Sequence, residues 1–484
     1  MDIYIVSVVV YLAFLAGIVV YKMKGVKTQD DFMVAGRKTS ALYLAGTLVC
    51  TWVGSGSLFG GAGLAFREGL SELWFSAGAW VGIVIIYFLA HRVRRISQYT
   101  MSDILEKRYN AAARLMGTTA VIIAYLTIAG YQFRGAGRLL NILTGIDPVT
   151  GGAIACGVVI LFTVTAGLVS IISIDLFNGI VMTLGVLIAL PLVVSSIGTE
   201  QIAALPAERF EVFGQHSPLW ALGVFLPTFF LLLGESSIYQ KFFSAKDEGT
   251  ARRAVVGMII GVIIIETTIT LLSVFGSAKY MTMAPFALAD GSLDKAATET
   301  IILQLARYDL PAIAGALLMC AAVAIILSTA NTFLMVPSTN IARDIYQRFI
   351  NPKVTEQAIV RFQRFWIVVL GITAFVVANF FQSILDMAFT AYAMVGAGIT
   401  PALLAAFLWK RVTVAGGVAS IASGMGVTLL ITILNFVLSE PLIDTDYIIL
   451  PAAGASILAL IGVSYFTAPS PEEKWKPFTE NMKM

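Results

Sequence analysis

Cysteine, histidine and charge are all scarce in this chain of 484 residues: three cysteines, two histidines and a charged fraction of 13%. Cys50, Cys156 and Cys320 are far apart and sit inside apolar runs, which excludes a disulfide framework and a CxxC metal site. His91 and His216 fall at the ends of apolar runs, and no HExxH, catalytic GxSxG or phosphate-binding GxxxxGK[ST] pattern occurs. The glycine-rich GSGSLFGG at 54–61 lacks the lysine that would hold a phosphate. No cluster of acids and bases suggests an enzyme, and no low-complexity linker marks an appended soluble domain. No cofactor, nucleic acid or obligate protein partner is implied.

What is abundant is apolar sequence. The chain is 58% hydrophobic, with a mean hydropathy of +0.86. Apolar runs of about 20 residues, the length needed to cross ~30 Å of hydrocarbon, recur throughout. The pattern predicts an all-α polytopic protein embedded in a lipid bilayer, residues 1–484 forming one transmembrane domain. Thirteen spans are expected, at 3–22, 41–65, 71–91, 115–143, 149–168, 170–197, 218–242, 255–278, 309–345, 362–381, 384–409, 414–437 and 446–467. The first has no basic flank before it and no cleavage site after it, so it reads as a retained helix. Thr100–Asn110 reads as a short capped amphipathic helix on the membrane surface.

Basic residues concentrate in alternate connections. One set includes Lys24, Lys27, Arg92, Arg94, Lys107, Arg114, Lys241, Lys246, Arg343, Arg348 and Lys410, with Lys483 in the tail. The other set is sparse, with Arg67, Arg209, Lys279, Lys295 and Arg307. Positive-inside logic places the N-terminus outside and the C-terminus in the cytoplasm, in the plasma (bacterial inner) membrane.

Two spans carry their own interruptions. TWVGSGS at 51–57 is followed by Gly60, Gly61 and Gly63, and Pro227 precedes Gly234-Glu235-Ser236-Ser237 five spans later. Two inverted five-helix repeats, each with its first helix unwound at mid-membrane, would produce this spacing; helices packed closely through small residues are the bland alternative. Arg134, Asp175, Glu235 and Glu266 are ionisable residues inside spans, and each costs ~2.5–3.5 kcal/mol or more if it faces lipid. Glu266 fits a structural ion pair as well as a functional role; Glu235 lies in the second interruption. Ile325, Ser328, Thr329 and Thr332 share one helical face in an otherwise apolar run. Hydroxyls there either bond back to the preceding turn or serve a hard cation such as Na+, which takes oxygen ligands.

With these motifs the chain resembles the sodium:solute symporter family. The matching stretches are TWVGSGSLFGGAG (51–63), FTVTAGLVSIISIDLFNG (162–179), IYQKFFSAKD (238–247), ILSTANTFLMVPSTNIARDIY (326–346) and FLWKRVTVAGGVAS (407–420). The resemblance implies a leucine-transporter-like 5+5 inverted repeat: an extra helix at 3–22, repeats at 41–197 and 218–409, and two C-terminal helices at 414–467. It implies a main sodium site at Cys50, Val53, Ile325, Ser328 and Thr329. Some members resemble this chain at a second sodium site, here Asp175, Ser328, Asn331 and Thr332. The sequence departs from that pattern, with Ile174-Asp175 where Thr-Asp is usual and Asn331 where Ser or Thr is usual. Solute-binding positions carried over are Trp52, Ser57, Ser76, Gln132, Arg134 and Glu235, with either Arg134 or Arg138 matching a carboxylate clamp. The implied function is sodium-coupled symport of a small polar organic solute, a carboxylate or zwitterion, by alternating access. A sugar, polyol or vitamin symporter, or a non-transporting sensor on the same fold, are the rivals.

Overall fold

The computed structural model describes residues 2–23, 28–96, 98–381, 383–438 and 440–479. Lys24, Lys27 and Lys483, counted above among the basic residues, lie outside these. Helices account for every regular element longer than an isolated bridge among the described residues.

Helix α1 (Ile3–Met23) packs one stripe, Tyr4, Val8, Tyr11, Leu15 and Val19, against the body, while Val9, Val10 and Phe14 stay exposed. Next come α2 (Ala41–Trp52), α3 (Ala62–Glu68) and α4 (Leu73–Ile96). Between α2 and α3 the chain extends at Val53 (φ −74°, ψ 99°) and re-enters through a wide π-helical stretch, Gly56–Gly61. The chain reverses at Gly69, whose φ of +73° suits glycine and whose Cβ would lie 2.3 Å from the Arg209 carbonyl oxygen.

Helix α5 (Ala111–Thr144) is capped by Asn110, and α6 (Pro148–Ile197) starts on an Asp147 cap with proline in its first turn. Gly167, at φ +58°, divides α6 into the two crossings expected there. Helix α7 (Pro218–Gly234) ends at Glu235 (φ −69°, ψ 101°), and α8 (Ser236–Ser244) follows at once. Both interruptions therefore rest on one extended residue of nearly the same conformation. The second falls at Glu235, inside the 234–237 stretch, while α7 accommodates Pro227 internally.

Of the remaining helices, those that build the later spans are α9 (Glu248–Tyr280), α10 (Ala312–Asn340), α11 (Glu356–Ala378), α12 (Ile384–Gly398), α13 (Thr400–Leu408), α14 (Val414–Val437) and α15 (Ile449–Phe466). Several exceed their expected spans, because hydropathy reads the lipid-facing part while capped polar turns continue beyond it. Twelve segments of the described residues are long and apolar enough to cross a membrane, Ala41–Trp52 being shorter. Cutting Gly56–Ile96 at the Gly69 reversal and joining α2 to α3 across the first break makes thirteen crossings.

Three features depart from expectation. The span at 384–409 is broken at Ile399, between α12 and α13, where Thr400 and Pro401 start a new helix and the Thr400 hydroxyl donates to the Phe230 carbonyl (2.7 Å). Met101–Arg108, with a Thr100–Asp103 capping box, is not a surface helix. Met101, Ile104, Leu105 and Arg108 are fully buried, and Arg108 donates to the Val412 carbonyl (2.9 Å). Arg114 and Lys241, counted above among the basic connections, are buried too. Arg114 pairs with Asp103, Glu106 and Asp344, and no such cross-chain pairing is visible in hydropathy.

Candidate functional site

At the first break, α2 leaves its last carbonyls without helical partners. The oxygen of Cys50 accepts from the Ser328 hydroxyl (3.1 Å) and the Thr329 hydroxyl (3.1 Å). Thr329 also donates to the Val53 oxygen (3.3 Å), and Ser328 lies 3.3 Å from the Ile325 oxygen. Three carbonyls and two hydroxyls thus converge from α2, its break and α10, and all five residues are buried. A hard cation with oxygens at about 2.4 Å would set neighbouring oxygens of an octahedron roughly 3.4 Å apart, close to these separations. A hydroxyl that now donates can instead turn a lone pair inward. Gly54 makes the approach between the break and α10 feasible: a Cβ there would lie 2.9 Å from Thr329 Cγ2 and 3.0 Å from Gln132 Nε2.

The residues of the candidate second sodium site separate. Asn331 Oδ1 accepts from Thr163 (2.9 Å), apart from the Asp175 hydrogen bonds. Asp175 accepts from the Thr47 hydroxyl (2.5 Å) and faces the Lys241 ammonium (3.8 Å). Thr332 accepts from that ammonium (3.3 Å), and Ser328 belongs to the first cage. Lys241, read above as a surface charge, is therefore a central residue.

The solute-binding candidates fall into groups. Trp52 Nε1 and the Ser57 hydroxyl both donate to Glu266 Oε1 (2.9 and 3.0 Å), and Trp80 Nε1 donates to Glu266 Oε2 (2.8 Å). Ser76 donates to Glu72 (3.2 Å), which also accepts from Thr270 (2.6 Å). Among the described residues none of these hydrogen-bond partners is basic, so Glu266 is not held in a structural ion pair. Gln132 accepts from the amide of Ser55 in the first break (3.0 Å). Glu235 accepts from Tyr125 and from Ser237 (2.9 Å), and its second oxygen is buried without a hydrogen-bond partner.

Arg134 is placed elsewhere: it donates to the carbonyls of Ala378 (2.9 Å) and Phe381, at the end of α11, and does not join Glu235 at the break. Arg138 pairs with Glu299 (2.5 Å), which also caps α12 through the amides of Ile384 (3.1 Å) and Leu385 (3.0 Å). Both arginines tie α5 to the entry of α12. Glu72 and Trp80 were missed by sequence reasoning. Glu72 comes three residues after the Gly69 reversal and looks like a loop acid; its only signal is Ser76, one turn further along.

A cavity of about 720 Å³ opens at the end of the molecule away from the basic connections, lined in part by Arg67, Glu68, Trp220, Asp386, Phe389 and Asp446. Beneath it Phe389 meets Phe75 edge-on (5.7 Å) and Phe75 stacks on Tyr392 (6.3 Å), whose hydroxyl abuts Gly56 in the break.

Two interrupted helices, one of them lining an ion-sized cage of neutral oxygens, are the mark of a secondary transporter of the inverted-repeat type. The family model for the sodium:solute symporter family matches residues 32–424. The chain belongs to that family, and sodium-coupled symport of a small organic solute follows from it. The chain is 27% identical over 477 residues to the high-affinity proline transporter PutP of Bacillus subtilis, covering 93% of this chain and 95% of the relative. It is 24% identical over 476 residues to a sodium/proline symporter of Staphylococcus aureus, covering 90% and 88% respectively. Its fold is similar to that of a Na+-coupled sialic acid symporter in a substrate-bound outward-open state, with a TM-score of 0.80, 17% identity, and 97% and 99% of the two chains covered. The amino-acid-bound MhsT is a more distant structural neighbour, with a TM-score of 0.53 at 15% identity over 89% of this chain and 98% of that one.

Proposed function

We propose that the Cys50, Val53 and Ile325 carbonyls and the Ser328 and Thr329 hydroxyls hold the coupling sodium, and that the solute is an amino-acid-like zwitterion. The observation that carries the second part is Glu266. Its carboxylate faces the first break with two indole N–H groups and a hydroxyl as partners, and Glu72 stands near it on the same α4–α9 wall. Acids set beside a half-buried tryptophan suit an ammonium group, by charge and by cation–π attraction. The proline transporters among the relatives support this class. Arg134 and Arg138 being committed to α11 and α12, the solute carboxylate is left to the sodium. The repeats run through 41–197 and 218–409, as the like conformations at Val53 and Glu235 suggest. The basic connections face the cytoplasm, which places the N-terminus and the 720 Å³ cavity outside.

Sodium bound at the cage joins α2 to α10 and stabilises the solute-competent state; its release inward lets the two part. The test is uptake into proteoliposomes of proline and other amino acids, with sialic acid and neutral hexoses alongside. Sodium-driven amino acid uptake, lost in Ser328→Ala/Thr329→Ala, is expected. Hexose uptake unaffected by Glu266→Gln would refute the zwitterion, and solute-independent sodium current would refute the symporter mechanism.

A further inference from the structure

The Lys241 ammonium lies in a nest of oxygens drawn from three other helices. It donates to the Thr47 carbonyl (3.0 Å), the Thr51 hydroxyl and the Thr332 hydroxyl (3.3 Å), which uses all three of its protons. Asp175 stands 3.8 Å away, and both side chains are 1% exposed. The aspartate is steadied by Thr47 (2.5 Å) and by Asn178 (3.4 Å). A carboxylate, two hydroxyls and a carbonyl are the ligands a hard cation would select. Here they surround a cation that is covalently part of the chain.

We propose that Lys241 is a tethered cation that takes the place of a second sodium, so that one sodium ion binds per chain. One carboxylate faces the ammonium within ion-pair range, and Glu235 acts on it from the second break on the same helix. A metal ion entering the same oxygens would meet the ammonium at close range without a second anion among the described residues of the nest. Thr332 lies one helical turn beyond Ser328 and Thr329, and Thr51 adjoins Cys50, so the ammonium sits beside the sodium cage rather than in it. The tether also sets what moves together. Lys241 is on α8, below the second break, and its partners are on α2, α6 and α10. It fastens the lower halves of both broken helices to the surrounding frame, as a bound ion would, without being released.

This inference rests on the sodium reading of the main cage, and the test separates the two. Equilibrium binding of radioactive sodium to the purified full-length chain in detergent is measured against choline chloride. Wild type is expected to bind one sodium ion, and none once Ser328→Ala/Thr329→Ala is introduced. Lys241→Ala opens the nest and is expected to bind two, with a Hill coefficient rising from 1 toward 2; adding Asp175→Asn returns it to one. Two sodium ions on wild type overturn the tethered-cation proposal alone. No sodium on wild type overturns both proposals. A single ion on a Lys241→Ala chain that still melts cooperatively overturns the tethered cation. Should Lys241→Ala not fold, the count on wild type and on the charge-neutral Lys241→Met/Asp175→Asn pair decides, one ion on each being expected and two on either overturning it.

Discussion

Thr329→Val removes one hydroxyl from the proposed sodium cage while keeping the shape of the side chain. That hydroxyl bridges two carbonyls, those of Cys50 (3.1 Å) and Val53 (3.3 Å), and ties α10 to the first break. A hydrogen-bond-like contact with a charge is worth about 1.5–3 kcal/mol, so losing one of five ligands should weaken sodium binding roughly 10- to 150-fold. The assay is the sodium dependence of thermal unfolding, with choline chloride holding ionic strength constant. At a sodium concentration of about 100 times the wild-type Kd, binding stabilises the folded chain by about 2.7 kcal/mol; a 100-fold weaker site leaves about 0.4 kcal/mol. Thr329→Ser, which keeps the oxygen, should stay within a few-fold of wild type. If Thr329→Val shifted the sodium midpoint less than threefold while Ser328→Ala did likewise, the cage would have to be placed elsewhere.

Other substitutions probe the surroundings. Gly54→Ala should weaken sodium binding and lower stability, since its Cβ would press on Thr329 and Gln132; Gly17→Ala, in open space on α1, should do neither when both are melted with and without sodium. Glu299→Ala strips Arg138 and the start of α12 of a buried partner at 1% exposure, a change that costs about 3–5 kcal/mol in comparable pairs. Hydrogen exchange at 384–390 should rise well before global unfolding. Glu266→Gln keeps an acceptor for Trp52 and Ser57 but removes the charge, so it should raise the apparent KM for amino acid uptake at least tenfold and leave the sodium midpoint within a few-fold of wild type.

The parts of this molecule that are legible in its sequence are those made by local chemistry. Glycine and serine clusters announce unwinding at Val53 and Glu235, and the hydroxyl stripe at Ser328 and Thr329 stands out because lipid offers it no partner. Caps at Thr100, Asn110 and Asp147 mark helix starts for the same local reason. The break at Ile399 was the least visible, because Gly398 and Pro401 bracket it within a run whose hydropathy never falls. Pairings between distant segments were hidden altogether. Lys241 resembles the loop lysines that follow it until Asp175, far back in the chain, is brought against it. Arg134 looks like a cavity residue until the carbonyls of Ala378 and Phe381 claim it. Periodicity tells which face of a helix is polar; it does not say which other helix that face will meet.

The buried lysine has a consequence for how far a cell can concentrate the solute. One sodium ion crossing a tenfold gradient yields about 1.4 kcal/mol, and moving its charge through 100 mV yields about 2.3 kcal/mol more. A carrier driven by one ion can thus hold a neutral zwitterion at roughly 500 times its outside concentration, against the square of that ratio for two ions. With one driving ion in place of two, the carrier works nearer to equilibrium. It would reverse, and export its solute, under gradients that a two-sodium carrier would still convert into uptake.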